Sequence, residues 1–297
     1  MKPSTQKVLT VILAILSFPF FTAALINGKE MIVLEKEPEL EDFLAPVIAA
    51  EIPLDYPEEA VKAQAVLVRS RCDTALEEGK KERELVKELV LAVQDPEQSE
   101  KEKISVCEQA VRETAGVVLN YGGKTVTGPF FAVGNGMTRS GEDVFGSREA
   151  PWLVQVESPW DIDDERYLSG VFFTLEELKE KLGEYGAFVN EGMTSEEAEQ
   201  CIRITATDQA GYVTELMLGD VLVGGETVRN LLNLPSSCFS VQAVDGKLRF
   251  LCKGMGHGVG LSQTGAAAMA REGRNWMEIL QYYFPETTLE QKMSAGV

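Results

Sequence analysis

Few side chains in this sequence have both the type and the setting for chemistry. Glu51 follows the apolar residues 45–50 and precedes Ile52-Pro53. The proline disfavours helix for the residue before it, so a helix over 45–50 would end near the glutamate. A carboxylate at a helix C-terminus with apolar neighbours is disfavoured as an anion, by desolvation and by the negative dipole end alike. That is the setting a general acid needs. The burial is inferred from the neighbours alone, so a surface or capping glutamate fits the same residues.

The chain's single histidine, His257, lies in a stretch with glycine at 254, 256, 258 and 260, followed by Leu261-Ser262-Gln263-Thr264. If this stretch is extended, the glycines bare one face and Met255, His257, Val259 and Leu261 furnish the other. A bare face admits a bulky ligand or another backbone. The plainer reading is a crossing of two chain segments in the core. A phosphate loop is not supported, because no Lys-Ser/Thr pair follows the glycines. His257 with Ser262 invites a nucleophilic reading, but residues 262–273 look like a short Ala-rich helix with a serine cap and a glycine stop. His257 and Gln263 are assigned to positioning.

The elements that must carry these residues are mixed. Asp55 with Glu58, and Pro57 in the first turn, predict a helix running to about Glu78 before Gly79. On it Pro57, Val61, Gln64 and Val68 form one stripe, with Ala60 and Ala63 thin beside it, so Gln64 faces the site and Lys62 faces solvent. Residues 81–93 and 106–113 are helical, and 116–120 with 125–129 form a hairpin about Gly122-Gly123. A helix opens at Thr174-x-x-Glu177 and stops at Gly183. Residues 31–35, 202–207, 213–218, 239–244 and 248–251 read as strands. Helices and strands without regular alternation predict an α+β fold in one compact domain with helical insertions.

Several segments together resemble one family. Residues 49–70, with Ala-Glu-Ile-Pro and then Lys62-Ala63-Gln64-Ala65, resemble the catalytic segment of the stage II sporulation protein D family, which also contains the amidase-enhancer proteins. Residues 114–121, Glu157-Ser158-Pro159-Trp160-Asp161, 225–229, the glycine stretch and 279–283 match further pieces in the family's order. The resemblance implies a lytic transglycosylase acting during spore formation on peptidoglycan glycan strands from which an amidase has removed the stem peptides. It makes Glu51 the catalytic acid and base, since in such enzymes the sugar's own 6-hydroxyl closes on the anomeric carbon and no second carboxylate is required. Asp161 is the second carboxylate to exclude. Candidate substrate-binding residues are Gln64, Arg69, Ser158, His257, Ser262 and Gln263, with a structural role open for Gln64 and Arg69. Trp160, Tyr121, Tyr282 and Tyr283 could stack on sugar rings or pack in the core. The resemblance also implies association with stage II sporulation proteins P and M. A wall-binding amidase enhancer without chemistry is the alternative. Some members carry a His/Cys metal site after the segment matching Tyr121, but residues 130–138 hold neither residue type, so neither metal nor other cofactor is expected.

Composition bounds the rest. A chain of 297 residues that is 44% hydrophobic can bury a sizeable core. A net charge of −19 argues against nucleic acid as a partner, whose binding draws on Lys and Arg. Lys2 and Lys7 precede an uncharged run over 8–26, long enough as a helix to cross a bilayer. An uncleaved anchor over 1–28, with residues 29–297 outside the cytoplasm, is expected from the basic start and acidic continuation. A signal peptide cut near Ala23-Ala24 is the alternative. Cys72 and Cys107 bracket a charged insertion, and either a disulfide closes its base or both are buried thiols. Cys201, Cys238 and Cys252 read as core.

Overall fold

The computed structural model describes residues 40–53, 55–92, 98–146 and 149–292. The expected membrane segment and the strand at 31–35 lie outside the described residues. Among those described, no helix is long and apolar enough to cross a membrane.

Helix α1 (Leu40–Glu51) buries Leu44, Val47 and Ile48, spaced three and four apart on one face. Helix α2 (Glu58–Glu77) follows. It starts after Pro57 without a side-chain cap, so the expected Asp55 cap is not used; the proline ring already sets φ at −58°, and Glu58 and Glu59 complement the positive end of the helix. Every residue of α2 from Ala60 to Ser70 is buried. A helix enclosed on all sides is normally apolar throughout, so its polar residues each need a partner. Ser70 Oγ donates to the Val66 carbonyl at 2.7 Å and accepts from Leu119 N–H at 2.9 Å, pinning α2 to the next sheet. Lys62 is 8% exposed and bonds Glu59 and Glu113 at 2.8 and 2.6 Å, which corrects the expectation that it faces solvent. Burial works against its charge, and the surrounding carboxylates override that and raise its pKa.

Helices α3 (Glu82–Ala92) and α4 (Gln98–Glu113) form the insertion. Strands β1 (Val117–Tyr121) and β2 (Lys124–Thr125) make the expected hairpin, with positive φ at both Gly122 and Gly123 as a two-residue turn of this hand requires. Strand β3 (Phe130–Phe131), helix α5 (Gly141–Phe145) and a 3-10 turn (Pro159–Asp163) complete the first half.

Residues 168–253 are an excursion with an apolar cluster of their own. They comprise β4 (Leu168–Phe173), α6 (Leu175–Leu182), α7 (Ser195–Cys201), β5 (Ile202–Thr207), β6 (Val213–Leu218), β7 (Val221–Gly224), α8 (Gly225–Leu232), β8 (Phe239–Val244) and β9 (Lys247–Lys253). The antiparallel sheets β4-β9-β8 and β5-β6-β7 enclose Leu178, Leu216, Val228, Leu248 and Phe250. Helix α6 opens with the expected capping box, Thr174 accepting from Glu177 N–H and Glu177 accepting from Thr174 N–H.

The chain then returns as β10 (Leu261–Ser262), α9 (Gln263–Arg271), α10 (Trp276–Tyr283) and β11 (Thr288–Gln291). Strand β11 pairs antiparallel with β1, and β10 pairs parallel with β3. Ala63, Val66 and Leu67 of α2 meet Leu119, Ala266, Ala267, Ile279, Leu280 and Phe284 in the main core. The fold is α+β, as the sequence pattern predicts.

The glycine stretch is not extended. Gly254, Gly256, Gly258 and Gly260 all have positive φ, and a Cβ at Gly260 would stand 2.0 Å from the Pro129 carbonyl oxygen. The stretch is a crossing over residues 129–134, the second of the two readings.

Candidate active site

Two consecutive helices and a third element 212 residues on converge at Glu51. It is the last residue of α1, and its side chain is 23% exposed. Gln64 of α2, fully buried, donates from Nε2 to Glu51 Oε2 at 3.2 Å. Gln263, the first residue of α9, donates to the Glu51 backbone carbonyl at 2.8 Å and to Gln64 Oε1 at 3.4 Å. Gln263 thereby orients the amide that holds the carboxylate. Glu51 Oε1 accepts from Arg71 Nη2 at 2.8 Å. The surroundings are therefore polar on both oxygens, where the sequence suggested apolar ones. Arg71 was not anticipated, yet the stripe 57, 61, 64, 68 continues to 71, seven residues beyond Gln64 on the same helix face.

The structure also holds a groove of about 550 Å³. It is lined by Pro53, Asp55, Tyr56, Trp160, Asp163, Asp164, Glu165, Arg166, Thr264, Ala268 and Arg271. Pro53 and Thr264 connect it to Glu51 and Gln263 along the chain. Arg166 organises its wall, donating from Nη2 to Asp164 at 2.7 Å, to Thr264 Oγ1 at 3.0 Å and to Tyr56 OH at 3.1 Å. The guanidinium holds the Asp164 pKa down at about 2, against partial burial. Trp160 stands at the groove with its indole N–H on Glu272 at 2.7 Å and its ring edge-on to Tyr282 at 5.7 Å. Such a wall offers a ring face together with donors and acceptors, which suits a hydroxylated ligand. Residues 53–56 fall within the segment 49–70 that carries the family resemblance, whereas residues 163–166 carried no sequence motif that marked them.

The remaining candidates are held inside the fold. Arg69, 4% exposed, donates to the Val111 and Val117 carbonyls and to Thr114 Oγ1, tying α2 to the end of α4. Ser158 is fully buried with its Oγ 2.8 Å from Tyr283 OH. Ser262 Oγ caps α9, accepting from Gly265 N–H at 3.1 Å, and donates to Asp161. It makes no pair with His257. Asp161 itself is fully buried beneath Gly134; burial raises its pKa, opposed by the hydrogen bond from Ser262. It does not line the groove. His257 accepts from Val259 N–H at Nδ1, and its carbonyl accepts from Arg139 at 3.2 Å. Burial first, then the Arg229 charge, lowers its pKa. Its neighbours are Phe131, Arg139 and Glu226 rather than the Glu51 cluster. Cys72 and Cys107 are both buried, on α2 and α4, which pack together. Cys238 and Cys252 are buried as expected, and Cys201 is partly so. Among the described residues no cluster of His, Cys, Asp or Glu could hold a metal ion.

Comparison with known proteins bears on the same residues. The profile of the SpoIID family, described as Stage II sporulation protein, matches residues 29–121, which include Glu51, Gln64 and Arg71. Stage II sporulation protein D of Bacillus amyloliquefaciens is 29% identical over 258 residues, 82% of this chain and 72% of its own length. Its namesake in Bacillus subtilis (strain 168) is 27% identical over 265 residues, 85% of this chain and 74% of its own. This chain is similar to stage II sporulation protein D over most of its length. An amidase enhancer of Bacillus subtilis (strain 168) is 24% identical over 226 residues, 61% of this chain and 32% of that protein. Both names, stage II sporulation protein D and amidase enhancer, are those of the family that the sequence resembles.

Proposed function

We propose that this protein is a peptidoglycan lytic transglycosylase with Glu51 as its single acid and base. The observation that carries the reading is the Glu51 carboxyl, partly exposed, two residues along the chain from Pro53 in the groove wall, and oriented by Gln64, which Gln263 orients in turn. In the proposed reaction the Glu51 carboxyl gives its proton to the glycosidic oxygen as the C1–O bond of a muramic residue breaks. The 6-hydroxyl oxygen of the same sugar bonds to C1, and its proton passes to the Glu51 carboxylate. The products are a 1,6-anhydro end and a free sugar hydroxyl, with no water consumed. The enclosed position of Asp161 supports a mechanism with one carboxylate.

Mass spectrometry of peptide-free glycan treated with residues 29–297 should show anhydro-muramic ends. Glu51→Gln, which keeps size and hydrogen bonding but has no proton to give, should abolish them while melting like the parent, and Asp161→Asn should retain turnover. Reducing ends alone would make the protein a hydrolase. The second reading, a wall-binding amidase enhancer without chemistry, is favoured by the relative of that name and anticipates glycan binding with no cleavage. The reading further includes an anchor over 1–28, a catalytic domain on the extracytoplasmic side, and association with stage II sporulation proteins P and M. Fractionation and co-purification from sporulating cells test these.

A further inference from the structure

The charged side chains in the groove wall are Asp55, Asp163, Asp164, Glu165, Arg166 and Arg271. Asp164 and Arg166 neutralise each other, and Arg166 is held further by Tyr56 and Thr264. Arg271 stands exposed on the last turn of α9. Among the described residues its guanidinium makes no hydrogen bond or ion pair, and no cation pairs with Asp55, Asp163 or Glu165. Nor do these carboxylates gather around one point, since among the described residues no acidic group could hold a metal ion. A cation in the last turn complements the negative end of the helix, but that role does not require a place in the groove wall. The groove is acidic, with a single uncommitted cation at one defined position.

On the transglycosylase reading, on which this inference rests, the ligand is a strand of two alternating sugars, and only bonds at a muramic C1 are cut. The two sugars differ in the lactyl ether of the muramic residue, a free acid when the stem peptide is gone and a neutral amide when it is attached. An acidic groove tells them apart by charge. A lactyl carboxylate set beside Asp55, Asp163 or Glu165 is repelled, while the flat fork of an arginine matches it. Pro53 of the wall is at most about 7 Å of backbone from Glu51, and Thr264 of the wall follows Gln263 in the chain. Arg271 is about 12 Å along α9 from Gln263, so it reads the strand away from the reacting atoms. We infer that Arg271 is a specificity-determining residue: it takes the lactyl carboxylate of a muramic residue lying in the groove, and the alternation of the strand then fixes which sugar comes to Glu51.

The test compares two forms of the same peptide-free glycan, one with free lactyl acids and one with those acids converted to primary amides. The parent protein should cut the free acid with a kcat/KM about fivefold or more above the amide, and the preference should shrink as salt is added. Arg271→Gln leaves the wall with unpaired carboxylates alone, so the ratio should fall to about one or below. Arg271→Lys keeps the charge without the fork and should retain part of the preference. A structural defect would lower both rates together and leave the ratio unchanged. Equal rates in the parent, or a preference that survives in Arg271→Gln, would overturn the inference while leaving the transglycosylase reading intact. If neither glycan yields anhydro ends, that reading falls, and the affinities of the two glycans for the parent decide the role of Arg271. Tighter binding of the free acid, lost in Arg271→Gln, upholds carboxylate recognition, and equal binding or none ends it.

Discussion

Gln64 is the residue whose burial says most about the site. A fully enclosed amide is stabilising only when its donors and acceptor are matched, and both of its partners here belong to the candidate site. Gln64→Met keeps the volume and removes both bonds, leaving Glu51 Oε2 and the Gln263 amide unmatched. We expect a loss of kcat on the order of 10²-fold from misplacement of the acid, with about 1–3 kcal/mol of stability lost in urea unfolding. Unchanged kcat would separate the amide from the chemistry. Asp164 gives a second test. Its folded pKa, about 2, lies below its ordinary value of 3.8, so its pairing with Arg166 stabilises the fold fully above about pH 5 and is lost as pH falls through 2. With Arg166 one-third exposed, solvent screening reduces the gain to about 1 kcal/mol. The difference in melting between the parent and Asp164→Asn should therefore shrink between about pH 5 and 2; a difference that grows on acidification would refute the assignment.

At the scale of elements, the glycine crossing sets where α9 begins. Gly260 has φ of +83°, and the added methyl of Gly260→Ala would press on the Pro129 carbonyl, which also accepts from Leu261 N–H at 3.0 Å. Strand β10 must shift, and Gln263 lies directly beyond it. We expect about 3 kcal/mol or more of destabilisation, and reduced glycan cleavage even at temperatures where the variant remains folded; full activity in the folded variant would uncouple the crossing from the site. The packing of α2 on α4 bears on a second element-scale proposal, a Cys72–Cys107 bridge across the base of the insertion. In the chain-entropy limit a loop of this length contributes about 3–4 kcal/mol. Alkylation of exported protein in denaturant without reductant should then modify three thiols, and modification of all five would reject the bridge.

At the scale of the whole molecule, the excursion over 168–253 is joined to the main body by a buried charge cluster. Arg139, 3% exposed, donates to Asp208 at 2.6 Å, to Glu226 at 3.0 Å and to the His257 carbonyl, and lies 4.8 Å over the Tyr212 ring. It therefore links residues ahead of the excursion, inside it and behind it. Removing one partner leaves a carboxylate stranded away from water. Arg139→Met should cost about 3–5 kcal/mol, and Arg139→Met/Asp208→Leu should recover part of that. Equal stability of Arg139→Met and the parent in urea would show that the cluster does not hold the two parts together.

What the sequence determined by itself are the features whose causes lie within a few residues. The Thr174/Glu177 box, the Gly122-Gly123 hairpin, the Ser262 cap and the strands over 202–207, 213–218 and 239–244 each follow from spacing and turn chemistry, and all are found in the structure. The stripe that turns Gln64 toward Glu51 is of the same kind, since helix periodicity sets it. Tertiary structure decided what depends on a partner far along the chain. Lys62 is enclosed because Glu113 reaches it from α4, and Arg69 serves the end of α4 while Arg71, two residues on, meets Glu51. The glycine stretch takes positive φ because residues 129–134 lie against it, and Gln263 meets a carbonyl 212 residues away. Side-chain periodicity records which face of an element is buried; it does not record what the fold brings to that face.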